Sequence, residues 1–394
     1  MESGNFMTEE IKSICRYENI KSKYILQKIF NNLEKKIILN IVKYNKDIKE
    51  RINININDFK EYSEKYSSVV IEIKPLNYQH CHWIHISEKD KIYYHIYFNN
   101  DKKEIKSNYI NINEKIEIIK IKIDYQIESF EKLFYKCDYI EYIYFKQFYR
   151  NNIKNMIGMF QGCSSLKELN LNNFNTINVK DMSCMFYEYS SLKEINLNNF
   201  NTINVTNMNG MFLKCSSLKE LNFNNFNTIN VTNMNGMFLK CLSLKELKLN
   251  NNFNTINVTN MNGMFYECSS LKELNLNNFN TINVKDMSSM FFKCSSLKEL
   301  NLNNFNTINV TNMCGMFFKC SSLNELNLNN FNTLNVTNMC GMFFKCSSLK
   351  ELNLNKLNTT NLLDMRRMFS GCSNELIKKI KSQHNDLKEE AFEE

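Results

Sequence analysis

At 394 residues, with 49 Lys and Arg against 41 Asp and Glu, the chain has ample length for a core and a formal charge of +8. That charge is spread along the chain instead of gathering into a basic stripe with interleaved aromatics, which argues against a nucleic-acid partner. The opening MESGNFMTEEIKSICRYE has no apolar run between a basic start and a small-residue cleavage site, and no later stretch is long and apolar enough to span a bilayer. The expectation is therefore a cytoplasmic protein with no membrane partner.

In chain order, residues 20–50 carry two helical stripes, Ile25, Leu26, Ile29, Phe30, Leu33 and then Ile37, Ile38, Ile41, Val42, joined near Glu34. In the same stretch Ile29 and Phe30, Leu33, Ile38 and Leu39, Ile41, Tyr44 and Lys46 sit where an F-box has its IF, L, LL, L, V and K. Ser22, Ile37 and Ile48 take the places of that motif's proline, acidic residue and tryptophan. The segment thus resembles an F-box. The resemblance implies a substrate receptor of a cullin-type ubiquitin ligase, with Ile29, Phe30, Leu33 and Leu39 docking an adaptor.

From Ser67 to Phe98 the pattern turns to strands, SVVIEI, CHWIHI and KIYYHIYF, the last two separated by SEKD as a hairpin turn. His80, His82, His85 and His95 gather here with Cys81. Alternation puts His80 and His82 on one face and Cys81, Trp83 and His85 on the other, so the group divides and no metal site is expected. Ile116, Ile119 and Ile121 then spell LxxLxL, and the repeats are expected to begin with that strand.

From about Phe134 to Cys372 a 26-residue unit recurs, of which Met290 to Gly315, MFFKCSSLKELNLNNFNTINVTNMCG, is typical. Its ruler is Cys137, Cys163, Tyr189, Cys215, Cys241, Cys268, Cys294, Cys320, Cys346 and Cys372. One step is 27, where Asn250 to Asn252 add a loop residue. A period of this length predicts a solenoid. Leu297, Leu300, Leu302 and Phe305 give a short strand with Leu300 and Leu302 inward and Glu299, Asn301 and Asn303 outward. Met313, Met316, Phe317 and Cys320, at i, i+3, i+4 and i+7, give one stripe of a helix that Thr311 is placed to cap. After Cys372, NELIKKIKSQHNDLKEE reads as a closing helix capped by Asn374, with Leu376, Ile377, Ile380 and Leu387 inward.

LxxLxL followed by NxxxVTxMxxMFxxC resembles the BspA-like leucine-rich repeat family, over about two thirds of the chain. The resemblance implies a curved non-catalytic scaffold for binding or adhesion. The fold expected is an α/β repeat solenoid, a leucine-rich-repeat-like horseshoe of about ten strand-loop-helix units, with a small N-terminal α+β domain. The divisions expected are 1–110 (helices about 8–50, strands about 67–98), 111–373 for the repeats and 374–394 for the capping helix.

Nine of the 14 cysteines share the inward position and read as buried free thiols. Cys314 and Cys340 form a second register one unit apart. The NVT triplets at Asn204, Asn230, Asn257, Asn309 and Asn335 follow from the repeat, with Val inward and Thr as cap. If the chain were exported as a surface adhesin, they would be glycosylation acceptors.

No phosphate-cradling glycine loop or Ser, His and Asp constellation is present, so neither an enzyme nor a cofactor is expected. The expected function is a protein-interaction scaffold whose partner is a protein or an extended peptide. About eleven strands at roughly 4.8 Å would make a face on the order of 50 Å long. On it, Glu299, Asn301 and Asn303 recur from unit to unit as Glu, Asn and Asn. Unit one departs from that set with Tyr142, Tyr144 and Lys146, and a later unit with Lys248. These seven are the candidate partner-binding residues, tyrosine being enriched where binding energy concentrates. A second row, Tyr187, Leu213, Leu239, Tyr266, Phe292, Phe318 and Phe344, is expected to wedge between neighbouring helices.

Overall fold

The computed structural model describes residues 20–33, 35–42, 45–76, 83–105, 115–354 and 356–393. Tyr44, His80, Cys81 and His82 lie outside them, as does any helix before residue 20. By its internal contacts the chain divides into two compact units, one ending at Ser67 and the other beginning at Ser68.

Among the described residues the first unit holds four helices: α1 (Lys23–Asn31), α2 (Lys35–Val42), α3 (Lys46–Arg51) and α4 (Ile56–Tyr66). Ser22 and Asn45 cap α1 and α3 through their side chains, and Asn55 with Asp58 forms a capping box on α4. Leu26, Phe30, Leu39, Ile41, Val42 and Ile48 make a separate small core. Helix α4 has no buried residue, which is why apolar spacing does not reveal it.

The second unit begins with a five-stranded sheet, because the strands after Ser67 join the repeats. Strands β1 (Val69–Pro75), β2 (Tyr94–Phe98), β3 (Ile119–Ile123), β4 (Ile140–Gln147) and β5 (Glu168–Asn170) lie in the order β2-β3-β1-β4-β5. The first three pairings are antiparallel and β4 to β5 is parallel. Two expectations are corrected here. Strand β3 pairs antiparallel with β1 and β2, so Ile119 and Ile121 extend this end sheet and do not open the parallel repeats. Residues 83–86 form no strand, and SEKD opens a 3-10 helix, Glu88–Tyr93, in place of a hairpin turn.

Within the repeats the strand row is short. The three-residue strands β6 (Glu220–Asn222), β7 (Glu246–Lys248), β8 (Glu325–Asn327) and β9 (Glu351–Asn353) pair β6 with β7 and β8 with β9, parallel and in register. Leu300 and Leu302 are buried while Glu299, Asn301 and Asn303 are exposed, as alternation requires.

The helix expected in each unit is absent. Met313, Met316, Phe317 and Cys320 are all buried, but on a ribbon of consecutive turns. The N–H groups of Met313, Gly315, Phe317 and Lys319 donate to the next unit, to Asn338, Cys340, Met342 and Phe344 carbonyls at 2.7–2.9 Å. Between them, the Met316, Phe318 and Cys320 N–H groups close four-residue turns on Met313, Gly315 and Phe317. Gly315 (φ +62°) and Lys319 (φ +56°) take left-handed backbone four residues apart, which an α-helix does not admit. Thr311 caps nothing; its hydroxyl donates to the Lys285 carbonyl one unit back.

Stacking repeats the same side chains in columns. Phe265, Phe291, Phe317, Phe343 and Phe369 stack at 5.5–5.7 Å between centroids. From Cys163 on, the inward thiols donate to a phenylalanine carbonyl of the preceding unit, Cys320 to Phe291 and Cys346 to Phe317, both at 3.0 Å. Burial pushes these thiols up, Cys294 to about 12 and Cys320 well above its usual value, so they stay protonated donors. At the C-terminal end, helix α5 (Asn374–Gln383) buries Leu376 and Ile380, with Ser373, not Asn374, as its N-cap. The chain then returns. Arg367 and Phe369 donate to Glu390 and Ala391 carbonyls at 2.7 Å, supplying the last unit with its missing acceptors, and Phe392 stacks on Phe369.

Buried Thr281 ties two units twice, donating to the Asn306 carbonyl at 2.9 Å and accepting from the Asn306 N–H at 2.8 Å. Thr281→Val leaves both groups of Asn306 unpaired and should cost about 1–3 kcal/mol. The exposed Thr311→Val should cost under about 0.5 kcal/mol. Urea midpoints of the two full-length variants against the parent check the ordering.

Candidate functional site

Three surfaces of the second unit carry the residues singled out above, and the structure does not bring them together. The first is the outward strand face of the repeats. Glu299, Asn301 and Asn303 line a cleft of about 670 Å³ with Glu325, Asn327 and Glu351, closed at one end by Lys379 and Gln383 of α5. Lys248 borders a second cleft of about 430 Å³, with Glu194, Asn196, Glu220 and Asn222, and pairs with Glu246 at 3.2 Å.

Polar accounting separates two kinds of asparagine. Asn304 and Asn309 donate their side-chain amides to Asn277 and Ile282 carbonyls of the previous unit, at 2.6 and 2.7 Å. Those asparagines are structural. By contrast, Asn196, Asn222, Asn301 and Asn327 each accept only from a backbone N–H two residues on, at 2.9–3.1 Å, and leave their amide N–H groups unspent among the described residues. Beside them the exposed carboxylates of Glu194, Glu220, Glu273, Glu299 and Glu325 make no ion pair among the described residues. The face therefore presents a row of carboxylates next to a row of amide donors.

The second surface is the end sheet, where Tyr142 and Tyr144 stack at 6.1 Å and 6°. Lys74 lies over the Tyr142 ring and Lys146 over that of Tyr144, at 5.0 and 5.3 Å. Lys146 also pairs with Glu72 at 3.1 Å, and the Tyr144 hydroxyl donates to Glu168 at 3.2 Å. Below them Glu141 is held between Lys167 at 2.7 Å and Lys74 at 2.9 Å. The tyrosines are half-buried within this network, committed to neighbours more fully than residue type alone suggests. Glu72, Lys74 and Glu141 were invisible as site residues because the antiparallel placement of β1 beside β4 is what assembles them.

The third surface is the apolar row after the buried phenylalanines. Tyr266, Phe292, Phe318 and Phe344 stack at 4.4–4.5 Å, half-buried, on the turn ribbon and not between helices. Lysines of the following position cover the rings at 5.2–5.6 Å: Lys293, Lys319 and Lys345.

In the first unit Phe30 and Leu39 are buried in the helical core, and Ile29 and Leu33 are partly buried against it. The apolar side chains exposed there are Tyr24, Ile25, Ile37 and Ile56. Of the histidines, His85 is exposed, and His95 lies between Glu104 at 3.3 Å and Asp124 at 3.0 Å. Among the described residues no three His, Cys, Asp or Glu side chains converge on a metal position, and no helix is long and apolar enough to cross a membrane.

Hydrogen bonds from Lys167 and Lys74 hold the Glu141 carboxyl below the usual carboxylate range. A group lowered on folding contributes stability that is present above its ordinary value, near 4.5, and lost as pH falls through the folded value. Glu141→Gln should therefore lower the thermal midpoint at pH 7, and the gap from the parent should close toward pH 3. Paired melts across that range measure it.

The family described as "Mycoplasma protein of unknown function, DUF285" matches residues 128–249, 212–301 and 286–391. Among curated proteins, none matches. Solved structures similar to this chain include two leucine-rich repeat proteins. The T. pallidum leucine rich repeat protein is 18% identical over 50% of this chain and 70% of its own, with a TM-score of 0.25. A leucine-rich repeat protein from Bacteroides ovatus is 16% identical over 71% of this chain and 88% of its own, with a TM-score of 0.22.

Proposed function

We propose, for a chain that belongs to the DUF285 family of Mycoplasma proteins of unknown function, a non-catalytic scaffold role: the repeats form a leucine-rich-repeat-like solenoid of the BspA type. Its exposed strand face binds a protein or an extended peptide. The observation that carries this reading is the row of Glu194, Glu220, Glu273, Glu299 and Glu325, without an ion pair among the described residues, beside asparagine amides that donate to none of those residues. Exposed polar groups that nothing in the fold consumes are available to a partner, and repetition multiplies modest single contacts into one extended one. The carboxylates favour a partner segment with basic side chains, and the amides supply donors for its backbone carbonyls.

Two other readings rest on less. An F-box-like receptor needs Ile29, Phe30, Leu33 and Leu39 to meet an adaptor, and Phe30 and Leu39 are spent inside the helical unit. A surface adhesin needs an export route, which glycans at Asn204 or Asn309 would mark, and both side-chain amides are engaged with the preceding unit, at 2.7 Å.

Full-length protein and a charge-reversed form, Glu273→Lys with Glu299→Lys and Glu325→Lys, are tagged and recovered from the native cells. Partners bound by the parent should fall at least tenfold with the reversed form, while both forms keep the same thermal midpoint within a few degrees. Partners retained equally by both would remove the strand face as the binding site. Loss of partners on deleting residues 1–67 alone, with the strand face intact, would shift the reading to the helical unit.

A further inference from the structure

We infer that Cys314 and Cys340 form a redox-active dithiol, which a peroxide closes into a disulfide stapling two successive repeats. Twelve cysteines lie among the described residues, and nine of them are the inward column, buried and bonded to carbonyls. Cys184, Cys314 and Cys340 are half-buried. Of these, Cys184 falls in line with Gly158 and Gly210 of its neighbouring units and faces no second thiol there.

Cys314 and Cys340 occupy the same place in consecutive units, and the backbone holds them in register. Asn312 bridges Asn338 in parallel, the Met313 N–H donates to the Asn338 carbonyl at 2.9 Å, and the Gly315 N–H donates to the Cys340 carbonyl itself at 2.8 Å. Adjacent positions on a parallel ladder stand about 4.8 Å apart, inside the roughly 4.4–6.8 Å between Cα atoms that a disulfide accepts. The two thiols also interact. Burial, with Cys340 beside it, pushes the Cys314 thiol up to about 11, so it serves as a protonated partner at neutral pH. The column continues with Ser288 on one side and Arg366 on the other, so the pair is the place in this column where two thiols follow each other.

In the reaction each thiol loses its proton and the two sulfurs together lose two electrons, forming one S–S bond. The peroxide O–O bond breaks and both oxygens leave as water. The cross-link closes the 26-residue step between two units and so removes freedom from the unfolded chain.

Full-length protein, reduced and then treated with equimolar hydrogen peroxide, should lose two hydrogens in intact mass. A peptide map without reductant should contain one linked pair, Cys314 with Cys340, and an unmodified inward column. Phenylarsine oxide, which bridges two neighbouring thiols, should bind the reduced chain once, and neither Cys314→Ser nor Cys340→Ser should bind it. Ser183 and Ser288 fill this position in other units, so serine fits the fold. Full retention of both thiols, oxygen adducts without a linked peptide, or pairs scrambled to Cys184 would each overturn the inference.

Discussion

The interaction on which the second unit depends is the forward hydrogen bond of the turn ribbon, an alternate N–H reaching the next unit's carbonyl. From Met156 to Asp181 through Met339 to Asp364 the same bond recurs at every step. Single bonds of this kind contribute only about 1 kcal/mol net. Four per junction, with the amide, hydroxyl and thiol bonds beside them, make each unit the acceptor its neighbour needs. No unit satisfies its own backbone, so the array holds as a series of interfaces. The ends must then be supplied separately, by β1 between β3 and β4 at one and by Glu390 and Ala391 at the other.

This ribbon explains why burial was legible in the sequence and backbone form was not. Met313, Met316, Phe317 and Cys320 are inward at i, i+3, i+4 and i+7, a spacing that a helix of 3.6 residues per turn and a pair of four-residue turns share over so short a run. The distinguishing signal was present in Gly315 and Lys319, four apart, both left-handed. Glycine at that place in five other units marks a backbone requirement, since a Cβ on Gly341 would stand 3.3 Å from the Phe318 ring. The strand face and the closing helix were readable because alternation and capping are local. The five-stranded end sheet was not, because β1 reaches β4 across about seventy residues.

The candidate site was readable in part for the same reason. Outward Glu299, Asn301 and Asn303 follow from alternation alone. What the sequence could not distinguish was an asparagine that builds the stack from one that does not, because Asn301 and Asn304 differ in role and not in type. Only the partner atoms separate them. The cleft's end wall, Lys379 and Gln383, likewise comes from a helix whose sequence reads as a cap.

A repeat protein makes every side chain a column, and the column tests each residue against its neighbours. Where a position holds the same type throughout, as the inward Phe does from Phe134 to Phe369, a change is felt on two sides and the position is fixed by packing. Where a side chain bonds only within its own unit, the stack leaves its type open. The Asn301 position meets that second condition: Asn222 and Lys248 face each other there without altering the parallel register of β6 to β7, and Asn301 accepts only from Asn303 of its own unit. Freedom from the fold's own demands leaves that face open to being shaped by a partner, and it is the physical ground for the proposal that places binding there and not along the structural columns.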